Sequence, residues 1–301
     1  MEGMHYEGHC IRPPSEARSI LLQVTVGCSH NKCTFCGSYK DKKFRIKDEE
    51  TIFGDIRWAA RNLRSSRRLF LMDGDALIIP QNRLVSILDE INTQMPWLER
   101  IGTYANAKSI TKKTPEQLTE LADKKLGIVY LGMESGDDHV LRAVNKGVTA
   151  HEMIERGRKV REAGIELSVT VLLGIAGKEG SLRHARATGE ALTAMDPDYV
   201  GALTVMLIPG TDLEKEAEQG AFQLPDQEGI LQELEEMLRH TELSNGMFIS
   251  NHASNYLPIK VPFPGGKDEA WRKSRRREKA SWGSSRSGSG LCRPVCWKFF
   301  I

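Results

Sequence analysis

Three cysteines stand close together near the start of the chain. Cys28, Cys33 and Cys36 fall within nine residues, in the spacing C-x4-C-x2-C, directly after an apolar, β-rich stretch. One loop can bring three such thiolates to a single metal centre, and thiolate sulfur is a soft ligand that suits iron–sulfur clusters or zinc. The sequence therefore predicts a metal centre in this loop.

The number of cysteines bears on which metal they bind. A structural zinc site normally has four protein ligands. His30 is too close to the cysteines to be an obvious fourth ligand, and Cys292 and Cys296 are far away in the sequence. Three cysteines without an evident fourth partner favour a 4Fe–4S cluster whose remaining iron stays open to a small molecule; zinc is the alternative.

Composition and charge narrow the class of protein. The chain has 301 residues, 40% of them hydrophobic and 27% charged, as in ordinary globular proteins. No apolar run reaches about 18 residues and no secretory signal is evident, so we expect a cytoplasmic protein without membrane contact or disulfides. Residues 267–301 contain ten Lys or Arg and three Asp or Glu, a net charge of +7, which leaves −5 for the rest. An acidic body argues against nucleic acid as a partner.

The body of the chain alternates two kinds of segment. Apolar, β-rich runs predict strands at residues 19–26, 69–72, 101–104, 127–131, 167–173 and 200–207. Helical spacing predicts helices at 48–63, from Pro80 onward, and at 114–121, 151–163, 181–194 and 227–241. Such βα repeats imply a parallel sheet, either open and doubly wound or a full or partial barrel.

Polar and glycine-rich residues follow the strand ends, where both folds place ligands. They are Asp73-Gly74-Asp75 after the second strand, Tyr104 and Asn106 after the third, Gly132–Gly136 (GMESG) followed by Asn145-Lys146-Gly147 after the fourth, and Gly174–Gly177 (GIAG) after the fifth. Past the last helix, His252 lies in a polar stretch and is a candidate for proton transfer or substrate binding. We predict that Tyr104, Asn106 and His252 face the substrate.

The cysteine loop resembles that of the radical SAM superfamily. In that family three cysteines follow the first strand and an aromatic residue precedes the third, as Phe35 does here. The family's usual spacing is C-x3-C-x2-C, so this loop is one residue longer. The resemblance covers roughly residues 21–213. It implies a partial (βα)6 TIM-type barrel, a 4Fe–4S cluster and S-adenosylmethionine (SAM).

The resemblance also implies roles for individual residues. Asp75, at the place of a family Gly-Gly-Glu stretch, would accept the SAM ammonium, with Gly74 allowing close approach. Glu134 and Ser135 would bind ribose hydroxyls or the amino-acid end of SAM, and Lys146 its carboxylate. The stretch that begins at Gly174 and ends at Gly177 would hold the adenine.

The activity implied is reductive cleavage of SAM to a 5′-deoxyadenosyl radical that takes hydrogen from an unidentified substrate. An electron donor such as flavodoxin or ferredoxin would be a partner. An RNA- or protein-modifying enzyme, or a protein like coproporphyrinogen oxidase, is the alternative within the superfamily. A non-catalytic zinc or iron–sulfur protein is the alternative of another class.

The chain divides by composition into three segments. Residues 1–18 form an N-terminal segment, and residues 19–265 form the barrel core with a C-terminal helical extension. Residues 266–301 are basic and rich in Ser, Gly and Arg, which predicts a disordered tail.

Overall fold

A computed structural model describes residues 3–270 and Arg272. Its strands are β1 (Ile20–Gln23), β2 (Thr25–Val26), β3 (Arg45–Ile46), β4 (Arg68–Met72), β5 (Arg100–Ala105), β6 (Leu126–Glu134), β7 (Glu166–Leu173), β8 (Tyr199–Thr204), β9 (Gly246–Ile249) and β10 (Lys260–Phe263). Its α-helices are α1 (Glu49–Asn62), α2 (Gln81–Gln94), α3 (Ala107–Thr111), α4 (Pro115–Asp123), α5 (Asp138–Ala143), α6 (Ala150–Glu162), α7 (Gly177–Met195), α8 (Asp212–Glu218) and α9 (Gln227–His240).

Eight of these strands form one sheet in the order β1-β4-β5-β6-β7-β8-β9-β10. Neighbours from β1 to β9 are parallel, and β10 runs antiparallel to β9. The order follows the chain without reversal, so right-handed crossovers place the helices on one face. This arrangement excludes the doubly wound alternative and confirms the barrel type. Among the described residues, the edge strands β1 and β10 do not pair with each other, so the sheet does not close and the barrel is partial.

Alternation along the strands separates the two faces of the sheet. In β7, Leu167, Val169, Val171 and Leu173 are buried against the helices, whereas the residues between them are half-buried. On the inner face, the rings of Phe70, Tyr104 and Tyr130 pack edge to face with centroids 5.1–6.0 Å apart. The carboxyl ends of the parallel strands therefore surround an interior, and these aromatic rings fill its side next to β4, β5 and β6.

Side-chain caps start several helices where the sequence predicts them. Asp48, Thr114, Thr149 and Asp226 each accept a hydrogen bond from a backbone N–H in the first turn of α1, α4, α6 and α9. Such caps satisfy N–H groups that have no partner within the helix.

The structure differs from the sequence prediction at both ends of the sheet. The strand predicted over residues 19–26 is broken, because β2 leaves the sheet to pair with β3. The strands β9 (GMFI) and β10 (KVPF) follow α9 and were not predicted. Ala270 is fully buried in the main core, so the folded part extends past residue 265. Trp271 and residues 273–301, with Cys292 and Cys296, lie outside the described residues.

None of the helices that the structure describes is long and apolar enough to span a membrane.

Candidate metal and cofactor site

The cysteine loop is packed tightly between strand ends. A Cβ built on Gly74 would lie 2.9 Å from Tyr39 Cε2, closer than real Cβ atoms come, and 3.0 Å from Cys28 Cβ, tighter than nearly all such contacts. On the other side, Thr34 N donates to Val144 O (3.1 Å) and its carbonyl accepts from Leu213 N (3.1 Å). The loop is therefore fixed both to the end of β4 and to segments after β6 and β8.

The three thiols are free and lie near one another. None is in a disulfide, and each is half-buried. Burial raises the pKa of Cys28 and raises that of Cys33 to about 11, and all three thiols act electrostatically on one another. Backbone N–H groups of Asn31 and His30 donate toward Cys28 sulfur, which lowers its pKa in part. These donors would also stabilise a metal-bound thiolate.

The donor set fits a cluster better than a single ion. In the described part of the chain, no three His, Cys, Asp or Glu side chains are arranged to hold one metal ion. The thiolates of a 4Fe–4S cluster bind separate irons and need not converge on a point. Three neighbouring free thiols, with N–H donors toward one of them, meet that requirement.

Asp73 anchors the base of the loop, a role that sequence reasoning missed. Its side chain is fully buried, and Oδ2 accepts from Gly27 N, Gln23 Nε2 and Lys42 Nζ, each at 3.1 Å. Lys42 is itself only 6% exposed and also donates to His9 O (2.6 Å). A buried ion pair thus joins the two ends of the cysteine loop to the end of β4.

Asp75 lies in a small polar group beside the first cysteine. Its Oδ2 accepts from Ser29 Oγ (2.5 Å) and from Asn106 Nδ2 (2.7 Å), and Asn106 also donates to Ser29 Oγ (2.8 Å). Burial raises the pKa of Asp75 to about 6, and the hydrogen bond from Ser29 opposes that rise. Its Oδ1 is buried and has no hydrogen-bond partner among the described residues. A buried acceptor in this state suits a cationic ligand group such as an ammonium.

Glu134 and Lys146 form an ion pair at the end of β6. Lys146 Nζ donates to Glu134 Oε1 at 2.8 Å, and the side chains are 12% and 11% exposed. Burial by itself would lower the pKa of Lys146, but Glu134 and Cys33 outweigh it and the pKa is raised. Glu134 has a φ of 68°, next to a break in the β6–β7 register. Lys146 is therefore a charged group between Glu134 and the cysteines.

The glycine loop after β7 packs near the cysteine loop. Ile175 is buried in a small apolar cluster that Phe35 and Val144 join. Gly174 and Gly177 have φ of +80° and +66°, which glycine adopts without strain. Gly174 N donates to Glu233 Oε1 on α9 at 2.6 Å.

Ser135 and the residues it contacts are buried. Ser135 Oγ lies 2.7 Å from His184 Nδ1 and accepts from Asp137 N (2.9 Å). The structure thus ties Ser135 to α7, and its predicted contact with SAM stays a prediction. Neither His184 nor Glu233 was identified from the sequence, since each lies in the middle of an amphipathic helix.

The predicted substrate-side residues occupy different places. Asn106 belongs to the Asp75 group, whereas Tyr104 lies in the inner aromatic cluster. The loop that carries His252 is bonded to the end of β8: Thr204 N donates to Ser254 Oγ (3.1 Å), and Thr204 Oγ1 donates to Asn255 Oδ1 (2.9 Å). Thr204 pairs with Leu173, the residue before the glycine loop. The loop therefore lies at the same edge of the sheet as the glycine loop.

Comparison with known proteins gives a family and a set of distant relatives. The family model of the Radical SAM superfamily matches residues 22–181. A probable threonylcarbamoyladenosine tRNA methylthiotransferase of Pyrococcus abyssi (strain GE5 / Orsay) is 23% identical over 201 residues, 64% of this chain and 46% of that protein. A tRNA-2-methylthio-N(6)-dimethylallyladenosine synthase of Desulfosudis oleivorans is 27% identical over 174 residues, 55% of this chain and 36% of that protein. The chain thus spans less than half the length of these relatives.

Solved structures share the fold at low sequence identity. A radical S-adenosylmethionine methyltransferase from Kitasatospora setae, with cobalamin and a [4Fe-4S] cluster bound, superposes with a TM-score of 0.55, 21% identity, and coverage of 67% of this chain and 40% of that one. Coproporphyrinogen III oxidase from Escherichia coli superposes with a TM-score of 0.52 and 14% sequence identity. The superposition covers 74% of this chain and 52% of that one. Since the family model matches more than half of its length, the chain belongs to the radical SAM superfamily, whose members are enzymes that use a 4Fe–4S cluster and S-adenosylmethionine.

Proposed function

We propose that Cys28, Cys33 and Cys36 hold the cluster and that SAM binds beside it, between the ends of β4, β6 and β7. When bound, these cofactors supply one-electron cleavage of the sulfonium, which yields a carbon radical able to remove hydrogen from a substrate. The observation that carries the proposal is the contact between Gly74 and Cys28, which places the cysteine loop directly on the turn that ends in Asp75.

Charged side chains at the strand ends would orient the amino-acid part of SAM. The unpartnered Oδ1 of Asp75 accepts the ammonium, while Ser29 and Asn106 hold the other oxygen in place. Lys146 neutralises the carboxylate and is itself positioned by Glu134. Both charges then act in a buried setting, where electrostatic contacts are stronger than in water.

The glycine loop would hold the adenine. Gly174 and Gly177 turn the chain at the end of β7 in conformations that glycine adopts without strain, and Ile175, itself buried, packs the loop near Phe35. Excluding water from this part of the site protects the reactive intermediate from side reactions.

His252 is proposed to face the substrate. Its Nδ1 accepts from Ser254 N (3.1 Å), so the neutral ring carries its proton on Nε2. Burial lowers the pKa of His252, which favours this neutral form. Nε2 then offers one hydrogen-bond donor at the edge of the sheet where the glycine loop lies.

Anaerobic reconstitution tests the cluster. The parent protein should hold about four irons and four sulfides per chain, and replacing Cys28, Cys33 or Cys36 by Ala should abolish that content. Cys10→Ala is the matched control and should keep it, since Cys10 lies outside the loop. With a strong reductant, the parent should also form 5′-deoxyadenosine without substrate. Stoichiometric zinc without iron would favour the non-catalytic alternative.

A second candidate is modification of tRNA. The names of the two curated relatives, both tRNA-modifying enzymes, support it. The net negative charge of residues 1–266 argues against it. Incubating the reconstituted protein with SAM, reductant, sulfide as the source of the thio sulfur and bulk tRNA, followed by mass spectrometry of the nucleosides, tests it. A methylthio-nucleoside that depends on Cys28 would support this candidate, and its absence together with active SAM cleavage would favour another substrate.

A further inference from the structure

A fully buried carboxylate lies behind the glycine loop. Glu233, on α9, has no exposed surface, and it accepts from Gly174 N at 2.6 Å through Oε1 and from Ser181 Oγ through Oε2. α9 begins more than fifty residues after Gly174, so the contact is long-range. Burying a carboxylate is costly, and it usually occurs where the group has a specific partner.

The carboxylate also touches a buried histidine. His184 Nε2 lies 3.5 Å from Glu233 Oε1 and donates to Leu172 O at 3.1 Å. Because Nε2 carries the proton, Nδ1 accepts from Ser135 Oγ at 2.7 Å. One chain of buried groups therefore runs from the residue after Glu134 to the first residue of the glycine loop.

Both ends of this chain are segments that the proposed function assigns to SAM. Gly174 opens the adenine loop, and Ser135 follows Glu134 directly. The glycine has a positive φ, and α9 packs on it so closely that a Cβ there would lie 2.9 Å from Ile230 Cδ1. The position of the loop thus depends on α9 through one hydrogen bond and one close contact.

We propose that Glu233 is a positioning residue for SAM: by holding Gly174 N and Ser181 it fixes the glycine loop in the shape that accepts adenine. The inference rests on the proposed function. The role of Glu233 depends on the length of its side chain, because the accepting oxygen must extend to Gly174 N. It does not require the charge, since a neutral oxygen accepts the same hydrogen bond.

Two substitutions separate reach from charge. Glu233→Gln keeps the length and an oxygen for Gly174 N, so it should bind SAM like the parent. Glu233→Asp keeps the carboxylate but is one carbon shorter, so it should lose affinity for SAM by about tenfold or more. Equilibrium dialysis on anaerobically reconstituted protein gives the affinity, and iron content checks the cluster.

Binding of the two halves of SAM, measured separately, shows which half the substitution affects. Glu233→Asp should weaken binding of 5′-deoxyadenosine but leave binding of methionine unchanged, because only the adenine half meets the loop. Glu236→Ala is the matched control: Glu236 also lies on α9 and pairs with Arg186 of α7 (3.0 Å), but it has no contact with Gly174. It should lower thermal stability without changing either affinity.

The outcomes are distinct. If Glu233→Asp binds SAM like the parent, or if it and Glu236→Ala lose affinity equally, the role of Glu233 is only structural and the inference fails. If Glu233→Asp does not fold, Ser181→Ala removes one of the two hydrogen bonds, and unchanged affinity for 5′-deoxyadenosine would overturn the inference. A parent protein that holds the cluster but binds no SAM would overturn the proposed function itself.

Discussion

Gly74 and Asp75 are neighbours in the chain, yet they act on different parts of the site. A Cβ at Gly74 would meet Cys28 and Tyr39, whereas the carboxylate of Asp75 reaches Ser29 and Asn106. The sequence suggested that the glycine allows a ligand to come close. In the structure its nearest neighbour is the cysteine loop, so the glycine is needed for packing before any ligand binds.

Replacing Gly74 by Ala should therefore disturb the metal site. The added methyl would lie within 3.0 Å of Cys28, whose backbone cannot move without shifting the loop. Overpacking of this kind costs about 1–3 kcal/mol. We expect lower thermal stability and less iron after reconstitution. Gly54→Ala in α1 is the matched control, because nothing lies within 4 Å of its Cβ position; equal iron loss in both variants would contradict this account.

Replacing Asp75 by Asn should act on SAM and leave the cluster intact. The variant keeps the shape of the side chain but loses the charge that pairs with an ammonium. A charge-assisted hydrogen bond is worth about 1.5–3 kcal/mol, so SAM affinity should fall roughly ten- to hundredfold. Iron content should stay at the parent value, since Asp75 is not a predicted cluster ligand. Undiminished SAM affinity would place the ammonium elsewhere.

At the scale of elements, the ion pair between Asp73 and Lys42 joins the cysteine loop to β4. Asp73→Ala should leave Lys42, only 6% exposed, without its partner. Removing one member of a buried pair costs about 3–5 kcal/mol. Chemical unfolding measures the loss, and the iron content should fall with it. Asp89→Ala breaks an exposed pair with Lys124 and should cost at most about 1 kcal/mol; a similar cost for both would argue against a buried anchor.

The buried pair between α7 and α9 makes stability depend on pH. Burial raises the pKa of Glu233 to about 7, so its share of stability is complete below its unfolded pKa and is lost as pH rises through about 7. Burial lowers the pKa of His184 to about 4, so its share is present above its unfolded pKa and is lost as pH falls toward 4. The two groups thus oppose each other.

Glu233→Gln removes the first of these effects. Thermal unfolding between pH 5 and 8 should show the parent losing stability relative to the variant as pH rises, by on the order of 1–3 kcal/mol. The loss on acidification that His184 causes should persist in both proteins. A constant difference between them across this range would mean that Glu233 titrates normally.

At the scale of the whole molecule, the core includes residues as late in the chain as Ala270. Lys267 Nζ donates to Arg239 O (2.9 Å), and Ala270 is buried in the main core. We expect a chain ending at Ala270 to keep its iron, its thermal stability and its formation of 5′-deoxyadenosine. A chain ending at Gly266 should be less stable, because it loses both contacts. A chain ending at Ala270 that precipitates or loses iron would show that later residues belong to the fold.

The sequence by itself predicted six strands and six helices of the βα repeat in their order along the chain, and it indicated a metal centre in the cysteine loop. Strands such as β7 and helices such as α6 are signalled by periodicity and by capping residues like Thr149, which are local properties of the chain. The spacing of Cys28, Cys33 and Cys36 is local as well. The family that these features suggested is confirmed by the match to residues 22–181.

Only the tertiary structure decided which distant residues meet. The pairs Asp73–Lys42, Glu134–Lys146 and Gly174–Glu233 are separated by 12 to 59 residues in the chain. A buried Glu in an amphipathic helix has the same local pattern as an exposed one, so Glu233 could not be distinguished from its neighbours. The strands β9 and β10 form through pairing, since β9 adds to the edge of β8 and β10 pairs with β9. Such pairings depend on how elements pack, which no short window of sequence contains.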